Sequence, residues 1–130
     1  MTTPWSAAEL QSLDAATELE IAVKRADGTL RRWTPIWVVC AGGQVYVRTW
    51  HRRDTGWFGQ AIRSHRARIR VHGLEADVIV EDIGEGTVGL RESVDTAYQL
   101  KYRAGSASMV SASAAMTTLR LDHESGAQVE

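Results

Sequence analysis

A chain of 130 residues, 44% of them apolar, can bury one core and is too apolar to be disordered throughout. Its formal charge of −1 argues against a nucleic-acid polymer as partner, because such binders carry an overall basic balance. No run approaches the roughly 20 apolar residues that span a bilayer, and the lone Cys40 leaves no internal disulfide and suits a reducing cytoplasm. The opening Met-Thr-Thr-Pro-Trp lacks the basic-then-apolar pattern of a secretion signal, so a cytoplasmic protein is expected. No Cys/His cluster has zinc spacing, so no metal site is expected.

Ser6 with Glu9 three residues later is a capping box and predicts a helix over 7–13. Leu19, Ile21 and Val23 alternate with charged residues as a half-buried strand does, and Asp27-Gly28 signals a hairpin. The returning strand should begin near Thr29 and bulge or lie at a sheet edge at Pro35, which cannot donate to a ladder. Ile36–Cys40 then reads as a continuous apolar strand buried on both faces. Ala41-Gly42-Gly43 turns the chain into a strand over 44–50, with Val45, Val47 and Thr49 on one face and Tyr46, Arg48 and Trp50 on the other.

After a loop at 51–56, residues 57–65 read as helix. A hairpin follows, with strands at 67–72 and 77–83 around Gly73. A helix is expected over 92–103, then a loop and short helix within the Ser/Ala/Gly-rich stretch 104–115. The last strand is expected over 117–121, and the tail 122–130 should fray. This makes a single domain with its core at about 17–121. The fold class is mainly β with flanking helices (α+β), a small barrel of about six antiparallel strands, with no β-α-β rhythm.

Charge is unevenly spread. Residues 48–72 hold seven of the arginines, three of the four histidines and one acid, Asp54. Either this is a solvated basic face or it is a site for a small anion, which the planar guanidinium fork suits. The order strand, basic loop, helix would aim a helix N-terminus at that anion. Arg48 and Thr49 are candidates for a phosphate or carboxylate contact at the barrel mouth, the alternative being an arginine stacked on Trp50. Trp57 and Phe58 either stack on a planar ring or anchor the helix, and Trp33, Trp37 and Trp50 pose the same choice or mark an interface. His51, His65 and His72 lack a partner carboxylate at a diagnostic spacing and read better as surface residues. Tyr98 and Tyr102 share one helix face, as a packing stripe or as a proton donor. Cys40 reads as an inert core residue.

Taken together, Gly28, Arg31, Arg32 and Thr34-Pro35, then Tyr46-Val47-Arg48-Thr49, the loop His51-Arg52-Arg53 and Trp57, then the segments 68–73 and 77–80, resemble the flavin-binding split β-barrels. This is the pyridoxamine-phosphate-oxidase-like superfamily, and the similarity is greatest to its deazaflavin-dependent nitroreductase branch and a neighbouring uncharacterised bacterial family. The resemblance implies a homodimer with a flavin or deazaflavin (FMN or a deazaflavin) in each cleft, reducing a small organic substrate. It implies that Arg31, Arg32, Arg48, Thr49, Arg52 and Arg53 hold the phosphate end and that Trp57 borders the ring. The chain departs from the family in its hairpin, where Val23–Gly28 replaces a Gly-Arg-Lys-Ser-Gly grip, and in carrying Trp50 or His51 in place of a second lysine. Two alternatives follow. One is a cofactor-free cyclase- or isomerase-type tailoring enzyme on the same barrel, drawing its acid or base from His51, Asp54 or Tyr98. The other is a non-catalytic module that binds a small ligand.

Overall fold

A computed structural model describes residues 2–49 and 56–124. The strands are β1 (Thr2–Thr3), β2 (Leu19–Val23), β3 (Thr34–Ile36), β4 (Val39–Ala41), β5 (Gln44–Val47), β6 (Arg66–Val71), β7 (Leu74–Gly84) and β8 (Thr118–Glu124). They form one antiparallel sheet in the order β3-β2-β6-β7-β8-β5-β4, with β1 added on β8. Among the described residues four helices flank it: α1 (Ala7–Ala15), α2 (Gly56–Ser64), α3 (Val88–Tyr102) and α4 (Ala112–Ala115), with a 3₁₀ segment over Arg103–Met109. The sheet curls into a half-barrel, an α+β fold as expected, with eight strands among the described residues where about six were expected; β1, β3 and β4 are only two or three residues long.

The seam of the barrel lies inside the run read as one strand. β3 pairs with β2 at one edge of the sheet and β4 pairs with β5 at the other, so the continuous strand over 36–40 does not form. Trp37 and Val38 alone carry the chain from edge to edge. The apolar run has a different cause from the one expected: Ile36 and Val38 face the barrel interior, and Val39 faces a second apolar cluster outside it. Pro35 sits exposed on the edge strand, where its missing N–H costs no ladder bond. The strand it belongs to begins at Thr34 rather than Thr29, and only an isolated Lys24–Leu30 bridge precedes it.

Inside the barrel, Leu19, Ile21, Val23, Val45, Val47, Ala67, Ile69, Val78, Val80, Leu119 and Leu121 alternate inward and pack with Leu13 of α1 and Phe58 and Ala61 of α2. The second cluster forms where α3 lays Val94 and Tyr98 on the outer face of β4 and β5, against Val39 and Tyr46, with Met109 closing it.

Turn chemistry is local and legible. Gly42 and Gly43 both have positive φ (58° and 79°), the pattern of a two-residue hairpin in which both central residues are left-handed. Ser6 accepts from the Glu9 N–H at 3.1 Å and Glu9 accepts from the Ser6 N–H at 2.8 Å, so the capping box starts α1 as read. Several boundaries differ. The strand expected over 44–50 ends at Val47, and Arg48 and Thr49 follow it outside the ladder. α3 begins at Val88, four residues before the expected start, because Thr87 caps it by accepting from the Leu90 N–H at 3.1 Å. β7 starts at Leu74, directly after the turn at His72-Gly73. Residues 122–124 do not fray but complete β8, where His123 pairs with Thr3 and Val78.

Candidate functional site

The seam creates a cleft. β3 contributes Pro35 and Ile36, the link contributes Trp37, and the chain just beyond β5 contributes Arg48 and Thr49. Trp57 comes from the first turn of α2, Ser108 and Met109 from the 3₁₀ segment, and Glu18 from the approach to β2. Together they line a cavity of about 300 Å³. That lies at the small end of the usual ligand-pocket range of roughly 300–1,000 Å³, room for a ring system rather than a dinucleotide.

Arg48 is the unusual member. Its side chain is 0% exposed, a position that arginine rarely takes without partners. Its Nε donates to Thr118 Oγ1 at 2.8 Å, and its Nη1 donates to Asp95 Oδ1 at 2.5 Å and to the Met109 carbonyl at 2.9 Å. The guanidinium carbon lies 5.6 Å from the Tyr98 ring centroid. Nη2 is buried and has no partner among the described residues. An orphaned donor on a buried cation is costly, and here it belongs to a residue that borders a cleft.

The aromatic wall is fixed from behind. Trp37 stacks on Tyr102 with centroids 4.0 Å apart and planes 1° apart, and a Cβ on Gly105 would come within 3.2 Å of its ring. Trp57 meets Phe58 edge-on at 5.6 Å, and Phe58 is anchored in the barrel core. The backbone of Thr49 is tied to Thr117, whose hydroxyl accepts from the Thr49 N–H at 3.0 Å and donates to its carbonyl at 2.9 Å. Apolar lining from Ile36, Trp37, Trp57 and Met109 beside the polar groups of Glu18, Arg48, Thr49 and Ser108 suits a planar ring that carries a polar edge.

The other residues singled out in the sequence are scattered. Arg31 lines a separate basic cleft of about 440 Å³ with Lys24, Arg25, Arg63 and Arg66. Arg32 is exposed. His51, Arg52, Arg53 and Asp54 lie outside the described residues, as does Trp50. Tyr98 is fully buried in the second cluster and does not line the cleft, and burial pushes its phenol well above the usual range. Burial also pushes the Cys40 thiol up to about 11. Three arginines of the basic run form ion pairs on the outer sheet face: Arg66 with Glu124 at 2.6 Å, Arg68 with Asp77 at 2.8 Å and Arg70 with Glu20 at 2.8 Å. Arg70 also covers Trp33 at 3.9 Å, which puts that tryptophan on the outer face. Among the described residues no group of three or more His, Cys, Asp or Glu is placed to hold a metal ion.

Sequence reasoning missed Glu18, Ser108, Met109 and Asp95. The first three reach the cleft only through tertiary folding, and 108–109 sit in a stretch read as connector. Asp95 did carry a signal: it lies one helical turn from Arg91, whose Nε is 3.7 Å from its Oδ2.

Residues 9–121 match the model of a bacterial family described as "Uncharacterized protein conserved in bacteria (DUF2255)". No curated protein matches the sequence. Among solved structures, a conserved hypothetical protein from Mycobacterium tuberculosis is similar at 12% identity and a TM-score of 0.60, over 97% of this chain and 83% of that one. An FAD-binding protein from Mesorhizobium loti is similar at 16% identity and a TM-score of 0.60, over 96% and 94%. A protein from Bacteroides thetaiotaomicron, provisionally assigned to 5-nitroimidazole antibiotic resistance, is similar at 12% identity and a TM-score of 0.59, over 98% and 84%. At these identities the likeness is one of fold.

Proposed function

Because the chain belongs to the bacterial DUF2255 family and folds as a split barrel of the flavin-binding type, we propose that it binds a flavin or deazaflavin ring in the seam cleft and serves as an oxidoreductase for a small organic substrate. One observation carries the reading. A buried arginine with an unpartnered Nη2 is among the lining residues of a cleft walled by two tryptophans. The ring would lie between Trp37 and Trp57, and its polar edge would accept from Arg48 Nη2. When bound, the cofactor supplies hydride transfer. The protein's own part is to hold the ring against a rigid wall, to exclude water through Ile36 and Met109, and to orient the ring edge.

The α2 N-terminus borders the same cleft through Trp57, so a group with negative character near it is favoured by the helix dipole. Arg31 lines the other cleft. We propose further that the protein works as a homodimer, since Val88, Leu100 and Met116 remain large and exposed on a single copy.

The test is a visible absorption spectrum of the purified protein, then titration with FMN and with a deazaflavin while tryptophan fluorescence is followed. Quenching on addition supports the reading, and Trp57→Ala should weaken that binding about tenfold, the scale for loss of a stacking aromatic. Unchanged fluorescence together with no heat in calorimetry at high micromolar concentration would remove the oxidoreductase. A second reading, a non-catalytic binding module, is favoured by one observation: Glu18 is the one acid–base side chain lining the cleft among the described residues besides the always-charged Arg48. Ring binding without turnover of a reduced nicotinamide or a nitro compound would select it.

A further inference from the structure

We propose that Asp95 sets the charge selectivity of the cleft: by pairing with Arg48 it turns that arginine into a directed hydrogen-bond donor with little net charge, so the cleft takes an uncharged carbonyl- or imide-edged ring and rejects a phosphate dianion at that point. The inference rests on the ring-binding reading for its ligand, and on the Arg48–Asp95 geometry alone for its charge rule.

Three acceptors fix the guanidinium. Thr118 holds Nε, while Asp95 and the Met109 carbonyl hold Nη1, which leaves Nη2, a buried atom, as the one nitrogen without a hydrogen-bond partner among the described residues. A free arginine at a phosphate site offers two or more nitrogens in a fork. Here at most one is left for a ligand. Its charge is also matched at contact distance: Asp95 Oδ1 is 2.5 Å from Nη1, and the arginine side chain is 0% exposed. Asp95 keeps 22% of its side chain exposed, so only the arginine half of the pair is dry, and at contact distance the two charges are felt from the cleft largely as a dipole rather than as a cation.

The carboxylate is itself held in place. Arg91 Nε lies 3.7 Å from Asp95 Oδ2, and Arg91 Nη1 donates to Glu85 at 2.6 Å on the surface, so the positive charge of Arg91 is shared with a second acid. Glu18 then lines the cleft directly. Among the described residues, the charges that bear on the cleft are therefore Arg48 against Asp95 and Glu18. A dianion there would shed its water in front of a carboxylate and gain one half-cancelled donor. A carbonyl oxygen meets no such repulsion and satisfies the orphaned Nη2. Asp95 reaches the ligand only through Arg48, which makes it a positioning and selectivity residue rather than a catalytic one.

The experiment compares the wild-type protein with Asp95→Asn, which keeps an oxygen acceptor for Nη1 and removes the charge. The probes are inorganic phosphate and lumiflavin, a flavin ring without a phosphate tail. Direct calorimetry with phosphate is expected to show at least a tenfold gain in affinity in Asp95→Asn, with phosphate displacing lumiflavin from the variant but not from the wild type. A merely structural aspartate would change both ligands together. Equal phosphate affinity in the two proteins, or wild-type phosphate binding as tight as the variant's, would overturn the charge rule whether or not a flavin binds. Loss of lumiflavin binding by the wild type, with the phosphate difference intact, would overturn the ring reading alone. If Asp95→Asn does not fold, the apolar exchange Arg48→Met/Asp95→Leu replaces it. That double variant should bind phosphate as weakly as the wild type and lumiflavin at least fivefold more weakly. A tenfold loss of phosphate affinity in it would show that Arg48 acts as an open cation and would sink the inference.

Discussion

Arg48 has two duties, and they interfere in any simple mutational test. Its removal strips partners from Asp95, from Thr118 and from the Met109 carbonyl, so Arg48→Ala should destabilise the fold by about 3 kcal/mol before any ligand is considered. Urea unfolding with an unchanged m-value checks this, and a cost under about 1 kcal/mol would show the contacts to be loose. From the sequence, Arg48 read either as an anion contact or as an arginine stacked on Trp50, on the face of Tyr46; it does lie by Tyr98, in the cluster that holds Tyr46, although β5 itself ends at Val47. The partners of Arg48 were not legible, since Asp95 and Thr118 lie far along the chain. The buried thiol and phenols predict an alkaline limit. Burial holds Cys40 up to about 11 and Tyr102 up to about 12, against ordinary values of 9.0 and 10.0, and raises Tyr98 and Tyr46 in the same direction. Between the ordinary and the raised values the unfolded chain has lost protons that the folded chain keeps, so stability falls as pH rises. Lys101 opposes this, because burial lowers its value and favours folding as pH approaches 10.5. Four raised groups outweigh one lowered one. The melting temperature should drop steadily above about pH 9, and a flat profile to pH 11 would refute it.

At the scale of elements, α3 matters more than its sequence suggested. It carries Asp95 for Arg48, Tyr98 for the second cluster, and Lys101 and Tyr102 for the seam. Its first turn depends on Thr87. Thr87→Ala should cost about 1 kcal/mol, whereas Thr87→Gly should cost only a few tenths, because glycine at a cap leaves the N–H groups open to water. Thermal unfolding of the two variants distinguishes capping from packing, since packing would rank them alike. The cap was missed because Gly86-Thr87 followed two turn residues and the apolar spacing of the helix is weak before Val94. The Ser6 cap was found because Glu9 completed the reciprocal pair. Strands with inward alternation, β2 and β6 above all, were legible from two-residue periodicity. β3 and β4 were not, because a run that changes partner midway leaves no mark in an unbroken apolar string.

The whole molecule turns on how its two sheet edges are joined. Val38 lies between the strands, outside any ladder, and is fully buried. Its N–H donates to the Tyr102 hydroxyl at 3.1 Å, and its carbonyl accepts from Lys101 Nζ at 2.7 Å. The same lysine reaches the Leu13 carbonyl at 3.2 Å, and the same tyrosine the Thr17 carbonyl at 2.7 Å. The last turn of one helix thus clamps both the link and the exit of α1. Hydrogen exchange makes this visible. The Val38 amide should exchange as slowly as ladder amides of β2, although no strand protects it, and Tyr102→Phe should release Val38 while leaving Ile21 slow. Equal exchange in the two proteins would show that the clamp is not closed. Because Trp37 rests on the Tyr102 ring, peeling this helix turn from the link would also tilt one wall of the cleft. Ligand entry and the breathing of α3 would then share a single opening free energy, so whatever steadies the helix slows the traffic of the site.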